Sequence, residues 1–401
     1  MGVISKILYL GYWNLDDPLT QSTIFPNLKI LKNLEGVDEL HFVNTQREEP
    51  SNSSQVFLEE LAIFYKPIFS KNIKPNLLNK IYDFEYFPKQ IIRYSHDNNI
   101  DMIIARGAPS GVLANRASKA LNIPFVVESY EPHADYMKFS GTWKTYDPRY
   151  IFQKKWEKQV KAKAQKILTV SHNYKRHLES EGVNSNKIEV VPCVVDSNQF
   201  YPDEQIKSRM RGELKIPERA TVGVYAGKFG NLYYDKEAFK LFKEAYEHLD
   251  NFYLLLLSNE EDLFINKRLE EFKISRKRLI KKFVKHSEMP LYLNVADFAF
   301  ATIRSIAVSR FQSPVKIGEY WACGLPILLS KDIGDESGFI EQEKGGILIE
   351  DYSKENLRKV VKKLKKLLKS PLQPGHYASL AEKCRNFSQI ESTYKKILLG
   401  E

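Results

Sequence analysis

Cysteine is scarce in this sequence of 401 residues, and the three that occur are Cys193, Cys323 and Cys384. They lie far apart and match no metal-ligand spacing, which excludes a disulfide framework or a zinc finger and favours a reducing compartment. Long apolar runs are absent as well. Because no stretch of about 18 apolar residues occurs, no membrane-spanning helix is predicted. The sequence also lacks low-complexity tracts, so we expect a globular protein.

Positive charge is what the sequence has in excess. The formal charge is +10 and the pI about 9.1, which predicts an anionic partner such as a phosphorylated ligand or an acidic lipid surface. The lysines are spread over helix-like segments without an aromatic RNA-binding signature, so no nucleic acid partner is expected. The first apolar stretch is too short for a signal peptide. We expect a cytoplasmic protein, with peripheral attachment to the inner membrane face as the alternative.

Short apolar segments alternate with longer helix-like segments, which is the pattern of α/β domains with mostly parallel sheets. Twelve strands are predicted, six at 6–12, 39–45, 101–107, 124–130, 166–171 and 187–193, and six at 220–228, 251–258, 281–286, 297–303, 326–330 and 346–350. The polar stretch 196–205 has no period and carries a proline, so it marks the domain boundary. Two doubly wound, Rossmann-like domains are predicted, over 1–203 and 204–379.

Two segments leave alternatives open. Residues 59–95 carry alternating aromatics and lysines with three prolines, and they fit either a helical cover over the first sheet or a grip on an acceptor or membrane surface. Residues 354–369 form an amphipathic helix with a lysine-rich face. That helix either packs on the second domain or lies on a membrane surface.

The stretch SPVKIGEYWACGLP, residues 313–326, predicts a short helix with an anion site at its start. Ser313 suits the N-cap and Pro314 the first helical position, while Gly324 ends the helix. A phosphate at the open amide groups would meet Lys316, and Glu319 could accept hydrogen bonds from adjacent ribose hydroxyls. Taken alone, Lys316 and Glu319 also fit an i, i+3 surface pair.

This stretch resembles the donor-site helix of the retaining GT-B glycosyltransferases of family 4, whose pattern is P-x-K-x-x-E-Y-x-A-x-G-x-P. All seven fixed positions match, and segments 286–301, 187–203 and 170–178 resemble further family segments in the right order. The resemblance implies two Rossmann-like domains facing across a cleft. The N-terminal domain would bind the acceptor and the C-terminal domain the nucleotide sugar, with the last helix, 380–401, crossing back onto the first domain.

The resemblance also implies the donor-binding residues. In the second domain a glycine-flanked loop after a strand lets the backbone approach a phosphate closely. The implied donor set is Gly227, Lys228, Lys236, Ser313, Pro314, Val315, Lys316 and Glu319. The family usually has an acid eight residues before Glu319, but Phe311 stands there. Its absence leaves the sugar open, and Gln312 or Ser309 could supply a neutral hydrogen bond.

In the first domain, the resemblance implies that the loop after the strand 124–130 lies near the anomeric centre and the acceptor. His133 is the residue expected to position the acceptor or bind sugar hydroxyls, with Glu131 or Asp135 as alternatives. Lys316 would stabilise the leaving diphosphate. Loops after two other strands resemble acceptor-side loops and contribute Asp16, Asp17, Thr20, Gln21 and Arg106.

The resemblance implies transfer of a sugar, with retention, from a UDP- or GDP-sugar to a carbohydrate acceptor in bacterial surface polysaccharide or lipid-linked glycan synthesis. No cofactor is expected. Because there is no Asp-x-Asp pattern and lysines with a helix terminus can stabilise the diphosphate, no metal is expected either. One alternative is a non-catalytic sugar-nucleotide-binding or scaffold subunit of a glycosylation complex. Another keeps the fold but changes the chemistry, as in sugar-nucleotide epimerases or phosphorylases.

Overall fold

The computed structural model describes residues 4–17, 19–71, 73–74, 76–370, 372 and 375–399. Thirteen parallel strands occur in this part of the chain: β1 Lys6–Gly11, β2 Glu39–Gln46, β3 Phe64–Phe69, β4 Met102–Arg106, β5 Phe125–Ser129, β6 Lys166–Thr169, β7 Ile188–Val190, β8 Thr221–Ala226, β9 Phe252–Leu257, β10 Leu279–Lys282, β11 Phe298–Ala301, β12 Ile327–Ser330 and β13 Gly346–Ile349.

Helices connect nearly all of these strands. They are α1 Phe25–Lys32, α2 Asn52–Glu60, α3 Asn76–Asp97, α4 Gly107–Leu121, α5 His133–Phe139, α6 Pro148–Lys163, α7 His172–Ser180, α8 Glu204–Glu213, α9 Lys236–His248, α10 Asp262–Glu271, α11 Met289–Leu293, α12 Val315–Ala322, α13 Glu336–Gln342, α14 Lys354–Lys369, α15 His376–Arg385 and α16 Phe387–Leu399. Short π- or 3-10-helical turns occur at Thr20–Ile24, Ser185–Lys187, Arg276–Arg278, His286–Glu288 and Ser309–Phe311.

The chain divides into two compact units, each built on one sheet. The first contains the residues up to Val194 and those from Phe387 onward, and the second is Val195–Asn386. The boundary therefore lies nine residues before the predicted one, and the chain returns to the first unit at α16, whereas α15 belongs to the second. Each unit has the Rossmann-like arrangement, a parallel sheet flanked by helices.

The first unit has a seven-stranded sheet in the order β3-β2-β1-β4-β5-β6-β7. One face carries buried side chains such as Ile7, Tyr9 and Phe42, which pack with apolar residues of α1 and α16. Side chains on both faces of β1 are buried, because Leu8 and Leu10 on its other face are also inaccessible. A strand buried on both faces reads as a continuous apolar run, which is why KILYLG was recognisable in the sequence.

The second unit has a six-stranded sheet in the order β10-β9-β8-β11-β12-β13. Alternate residues of β8 point to opposite cores: Val222 and Val224 pack in one, with residues of α12 and α15, while Tyr225 packs in the other, with α9 and α14. Both faces of this sheet are therefore covered by helices, as a parallel sheet requires.

The segment 59–95 is more than the helical cover that was one of its two interpretations. It contains β3, which pairs in parallel with β2 at the edge of the first sheet, followed by α3. Pro67 lies within β3. An edge strand tolerates proline, because the missing amide hydrogen is not needed on the open side.

Helix α14 packs on the second unit, as one of the two interpretations of its sequence proposed. Ser353 caps its start by accepting a hydrogen bond from the Asn356 amide. Leu357, Val361 and Leu364 are buried in the core that also contains α9 residues, while most of the lysines on the opposite face are exposed. Among all helices in the described part of the chain, none has the length and apolar character needed to cross a membrane.

Candidate functional site

Helix α12 carries the two charged residues of the family-like stretch, and its start differs from the prediction. The helix begins at Val315, one residue later than expected, and Pro314 is its N-cap. The predicted N-cap role of Ser313 is wrong, because no side chain caps this helix. Ser313 is buried instead, and its hydroxyl contacts Glu336 and Arg385. The Ser313 hydroxyl therefore contacts a buried ion pair instead of capping the helix.

The apolar side of α12 fixes the direction of its charged side. Ile317, Tyr320 and Trp321 are fully buried. The Tyr320 hydroxyl accepts a hydrogen bond from the Ala226 amide at 3.1 Å, and Trp321 Nε1 donates to the Gly345 carbonyl at 2.8 Å. The helix ends as predicted, with Gly324 at φ +79° just beyond it. The helix is thus anchored to the end of β8 and to the start of β13.

Lys316 reaches the carboxyl end of β8. Its Nζ donates to the Ala226 carbonyl at 2.8 Å and lies 4.2 Å from the centroid of the Tyr233 ring. Gly227 has φ +138°, and a Cβ placed there would be 2.6 Å from Lys316 Nζ. A side chain at 227 would therefore be strained and would displace the lysine. Gly227 and Lys316 are therefore neighbours in space, although they lie 89 positions apart in the sequence.

Glu319 has a partner that was not singled out from the sequence. His286 Nε2 lies 2.7 Å from Glu319 Oε1, and both residues belong to the second unit. The hydrogen bond to Glu319 raises the pKa of His286, against the opposing effect of burial. The carboxylate is nearly buried, so its orientation is set by this contact and by the helix. The Glu319 Oε2 atom makes no hydrogen bond with the part of the chain that the structure describes.

The two other lysines of the predicted donor set differ in their surroundings. Lys228 is exposed in the loop after β8, where its carbonyl accepts a hydrogen bond from Tyr225 at 2.6 Å and the next amide is held by Glu260. Its ammonium group makes no ion pair with any described residue. Lys236 opens α9 and pairs with Glu271 at 2.7 Å. Lys228 is therefore open to a ligand, and Lys236 is engaged elsewhere.

A buried ion pair stands beside the entry to α12. Glu336 and Arg385 are almost inaccessible and contact each other, and the same guanidinium contacts Ser313. The Glu336 Oε2 atom is buried and has no hydrogen-bond partner among the described residues. Burial raises the pKa of Glu336 to about 7, although the charge of Arg385 opposes this. The backbone carbonyl of Arg385 also accepts a hydrogen bond from Val195, the first residue of the second unit.

In the first unit, His133 and Glu131 are neighbours at the start of α5. His133 Nδ1 lies 3.4 Å from Glu131 Oε1. Burial lowers the pKa of His133, but the hydrogen bond and charge of Glu131 outweigh burial, so the pKa is raised overall. The imidazolium is thereby favoured as a hydrogen-bond donor. Asp135, the alternative, is held by Lys154 at 2.9 Å and by Tyr150.

Arg106 lies in a buried network rather than on an open loop. Its guanidinium donates to Glu128 Oε2 at 2.6 Å and stacks 3.6 Å from the centroid of the Tyr130 ring. The Glu128 carboxylate accepts further hydrogen bonds from Tyr9, Asn27, Tyr130 and Tyr394. A cavity of about 20 Å³ adjoins the network, the size of a single water molecule.

The four remaining acceptor-side residues follow β1. Asp16 accepts hydrogen bonds from the Ser51 amide and from the Ser51 and Ser54 hydroxyls, and Gln21 donates to Ser54. Thr20 is fully buried. Asp17 lines a cavity at the carboxyl ends of β1 and β2, which the other three do not line. Asp16 and Gln21 thus hold the loop on the start of α2, and Thr20 is buried away from any ligand.

Phe311 ends the turn Ser309–Phe311, four residues before α12. Of its two proposed substitutes, Ser309 is buried and its hydroxyl donates to the Arg304 carbonyl at 2.6 Å. Gln312 is half-buried in an extended conformation directly before Ser313. A neutral hydrogen bond near α12 would therefore come from Gln312, since the Ser309 hydroxyl is already engaged.

Sequence reasoning did not single out His286 or Tyr233, the two side chains that meet Glu319 and Lys316. The only signal for His286 was its place at the head of the family-like segment 286–301. Tyr233 lies in the loop between β8 and α9, where it forms an isolated bridge with Ile303. Both contacts join segments that are distant in sequence, so local pattern does not reveal them.

Two family models match the chain. Residues 46–199 match Glycosyltransferase Family 4, and residues 207–387 match Glycosyl transferases group 1. The second match contains every donor-set residue discussed above, from Gly227 to Glu319. No curated protein matches the chain by sequence.

Solved structures match almost the whole chain. Anabaena HepE in complex with UDP has a TM-score of 0.74 at 12% identity, covering 99% of this chain and 100% of that one. Sucrose-phosphate synthase from Thermosynechococcus elongatus gives 0.72 at 12% identity, with the same coverage. The lipopolysaccharide outer core galactosyltransferase WaaB gives 0.68 at 15% identity, also covering 99% and 100%. At these identities the likeness shows the fold, and it confirms the predicted GT-B class of two Rossmann-like domains.

Proposed function

Because residues 46–199 match the Glycosyltransferase Family 4 model and residues 207–387 match the Glycosyl transferases group 1 model, we propose that the chain moves a sugar from a UDP-sugar to a carbohydrate acceptor with retention of anomeric configuration. Uridine is favoured over guanosine as the base because HepE, which has the same fold, binds UDP and UDP-glucose. The observation that carries the proposal is the hydrogen bond of Lys316 to the Ala226 carbonyl at the end of β8, next to Gly227, where the absence of a side chain leaves room for the lysine.

The diphosphate would lie between the start of α12 and the loop after β8. Lys316 and the unpaired Lys228 are the cations on its two sides, and the open amides at the start of α12 add partial positive charge. Gly227 lacks the side chain that would block this approach. Positive charge built into the protein stabilises the leaving diphosphate, so the transfer would need no metal.

Glu319 would accept hydrogen bonds from the ribose hydroxyls. Its Oε1 atom is held by His286, and Oε2 faces no described partner, so one carboxylate oxygen is free to accept. His286 thus acts as a positioning residue that fixes the carboxylate for the nucleoside. Gln312 would supply a neutral hydrogen bond where the family usually has an acid.

In the first unit, His133 would donate a hydrogen bond to the transferred sugar or the acceptor. Its raised pKa, maintained by Glu131, favours the charged form that donates from both ring nitrogens. Such a donor stabilises negative charge that develops as the glycosidic bond to the diphosphate breaks.

A bacterial surface polysaccharide or a lipid-linked glycan is the acceptor class that we propose. WaaB, an outer core galactosyltransferase of lipopolysaccharide, has the same fold. The exposed lysines of α14 would attract the protein to an anionic membrane surface without inserting into it, which suits a lipid-linked acceptor.

Calorimetric titration of UDP in the presence of EDTA tests the donor site. Wild type is expected to bind, and Lys316→Ala to bind at least about tenfold more weakly, since a hydrogen bond to a charged group contributes roughly 1.5–3 kcal/mol. Lys236→Ala is the matched control, because Lys236 is paired with Glu271. Its affinity should stay within about twofold of wild type.

Absence of UDP binding by the wild type, or equal affinity of the Lys316 variant and wild type, would contradict the proposed donor site. If UDP binds, incubation with UDP-glucose and a glycan acceptor follows, and the anomeric configuration of the product is read by NMR. An inverted product would contradict retention, and a product only of free, altered sugar nucleotide would indicate an epimerase.

A further inference from the structure

A second cavity in the first unit lies at the carboxyl ends of β1, β2 and β3. Parallel pairing of these strands brings their three ends to one edge of the sheet, and α3 forms a further wall. The cavity volume is about 210 Å³. A space of that volume accommodates a single sugar ring.

One wall of this cavity is aromatic. Tyr12 and Trp13 follow β1 directly and stand edge to face, with ring centroids 5.7 Å apart. Phe87 of α3 also lines the cavity and is buried. Trp13 remains 45% exposed, so a large part of its indole lacks protein cover. An uncovered aromatic face next to polar groups suits a sugar ring, whose C–H face is apolar and whose rim carries hydroxyls.

Polar groups with unused hydrogen-bonding capacity line the same cavity. The exposed Arg47 guanidinium forms no hydrogen bond or ion pair with a described residue, although its backbone amide is bound by Asn14. Asp83 Oδ2 accepts from Ser70 at 2.7 Å and from Asn79 at 3.0 Å. Asp83 Oδ1 is buried without a partner in the described part of the chain. Arg47 thus offers donors to the hydroxyl oxygens of a ligand, whereas the buried Oδ1 atom of Asp83 is out of a ligand's reach.

The charges in the cavity disfavour an ionic ligand. Asp17 and Asp83 face a single guanidinium, so a phosphate or carboxylate ligand would meet excess negative charge. Burial raises the pKa of Tyr12, with Arg47 lowering it and Asp83 raising it further, so the phenol stays protonated and is another donor. An uncharged molecule with several hydroxyls satisfies this set of groups.

We propose that this cavity binds one uncharged sugar ring of the acceptor glycan, packed on Trp13 and hydrogen-bonded by Arg47. The inference rests on the proposed function and deepens it, because it identifies the part of the first unit that recognises the acceptor. Asp16, Thr20, Gln21 and Arg106, which the sequence predicted as acceptor-side residues, do not line this cavity.

Saturation-transfer NMR on the full chain tests the site with methyl glycosides of glucose, galactose, mannose and N-acetylglucosamine. Wild type should transfer saturation to at least one glycoside. Trp13→Ala and Arg47→Ala should each weaken that signal at least about fivefold, the effect of losing roughly 1 kcal/mol of contact. Tyr146→Ala and Arg93→Ala are matched controls, because these side chains are exposed and lie outside the cavity. Both controls should match wild type.

UDP affinity measured on the same samples separates this inference from the proposed function. Loss of the glycoside signal in the Trp13 and Arg47 variants, with UDP affinity unchanged, supports the site. No glycoside signal from wild type, or a signal unchanged in both variants, overturns the inference, and UDP binding would then leave the proposed function standing. Failure of wild type to bind UDP, with glycoside binding intact, would overturn the proposed function alone.

Discussion

In the described part of the chain, each unit has a buried glutamate–arginine pair, but the two carboxylates differ in the number of hydrogen bonds that they accept. Glu128 in the first unit accepts hydrogen bonds from Arg106 and from four other side chains, Tyr9, Asn27, Tyr130 and Tyr394. Glu336 in the second unit contacts Arg385 and Ser313, and its Oε2 atom is buried without a described partner. The two ion pairs are therefore of the same type, but the carboxylate in the first unit accepts more hydrogen bonds than the one in the second.

The consequence of this difference is visible at Glu336, the carboxylate with fewer donors. A buried carboxylate with few donors is costly to ionise, and accordingly the pKa of Glu336 is raised to about 7 by burial. Glu336 touches Ser313, which precedes α12, so the less satisfied pair is the one beside the proposed donor site.

Removal of the guanidinium from each pair should have the largest effect and should be unequal. Arg385→Met leaves the Glu336 carboxyl buried without a counterion, and we expect a loss of roughly 3–5 kcal/mol of unfolding free energy at pH 8. Arg106→Met leaves Glu128 with four donors, so the expected loss is smaller, roughly 1.5–3 kcal/mol. Urea unfolding followed by circular dichroism measures both. Equal losses would show that the additional donors of Glu128 contribute nothing.

The next largest effect should be on the pH dependence of the unfolding free energy, through the titration of Glu336. Its pKa is about 7 in the folded protein against an ordinary 4.5. The stability from its protonated form is therefore fully present below about pH 4.5 and is lost as the pH rises through about 7. The difference of 2.5 between the two pKa values corresponds to about 3.5 kcal/mol at roughly 1.4 kcal/mol per unit. Glu336→Gln should flatten this part of the curve.

Glu341→Gln is the control for that experiment, because Glu341 lies in the same helix, α13, and is exposed. Its profile should overlay that of wild type. A Glu336→Gln profile that also overlays wild type would mean that Glu336 does not titrate in this range.

The smallest effect should come from a single donor of the well-satisfied pair. Tyr394→Phe removes one hydrogen bond to Glu128 but leaves Arg106 and three other donors, so we expect a loss of about 1–2 kcal/mol. Hydrogen exchange of the α16 amides provides the local measurement, since Tyr394 ties that helix to the sheet. A loss as large as that in Arg106→Met would show that the network depends on every donor rather than on the ion pair.

The sequence predicted most strands because they are buried on both faces and read as apolar runs. It missed β3, whose residues FYKPIF include a lysine and a proline. The strand lies at the sheet edge, where one side is open, so these residues are tolerated there and the apolar signal is lost. The end of α12 was predictable from Gly324, since glycine at positive φ is a local requirement.

The contacts that define the sites were less predictable. Lys316 and Glu319 follow from a compact local pattern, but their partners Ala226 and His286 lie 90 and 33 residues away. Ser313 was a reasonable cap by local rules, and it was displaced by a buried pair 23 and 72 residues away. The second cavity of the first unit draws on four separate segments. Such tertiary contacts override local propensity, and reasoning from a single sequence has access mainly to local propensity.

The return of α16 to the first unit has a consequence for synthesis of the chain. Tyr394 and the apolar residues of α16 complete the core that contains β1, yet they are translated after the whole second unit. The second unit has all its elements once Asn386 has emerged. The first unit therefore begins translation first but completes its core last. If translation stopped before α16, all elements of the second unit would be present, whereas the core of the first unit would still lack the side chains of α16.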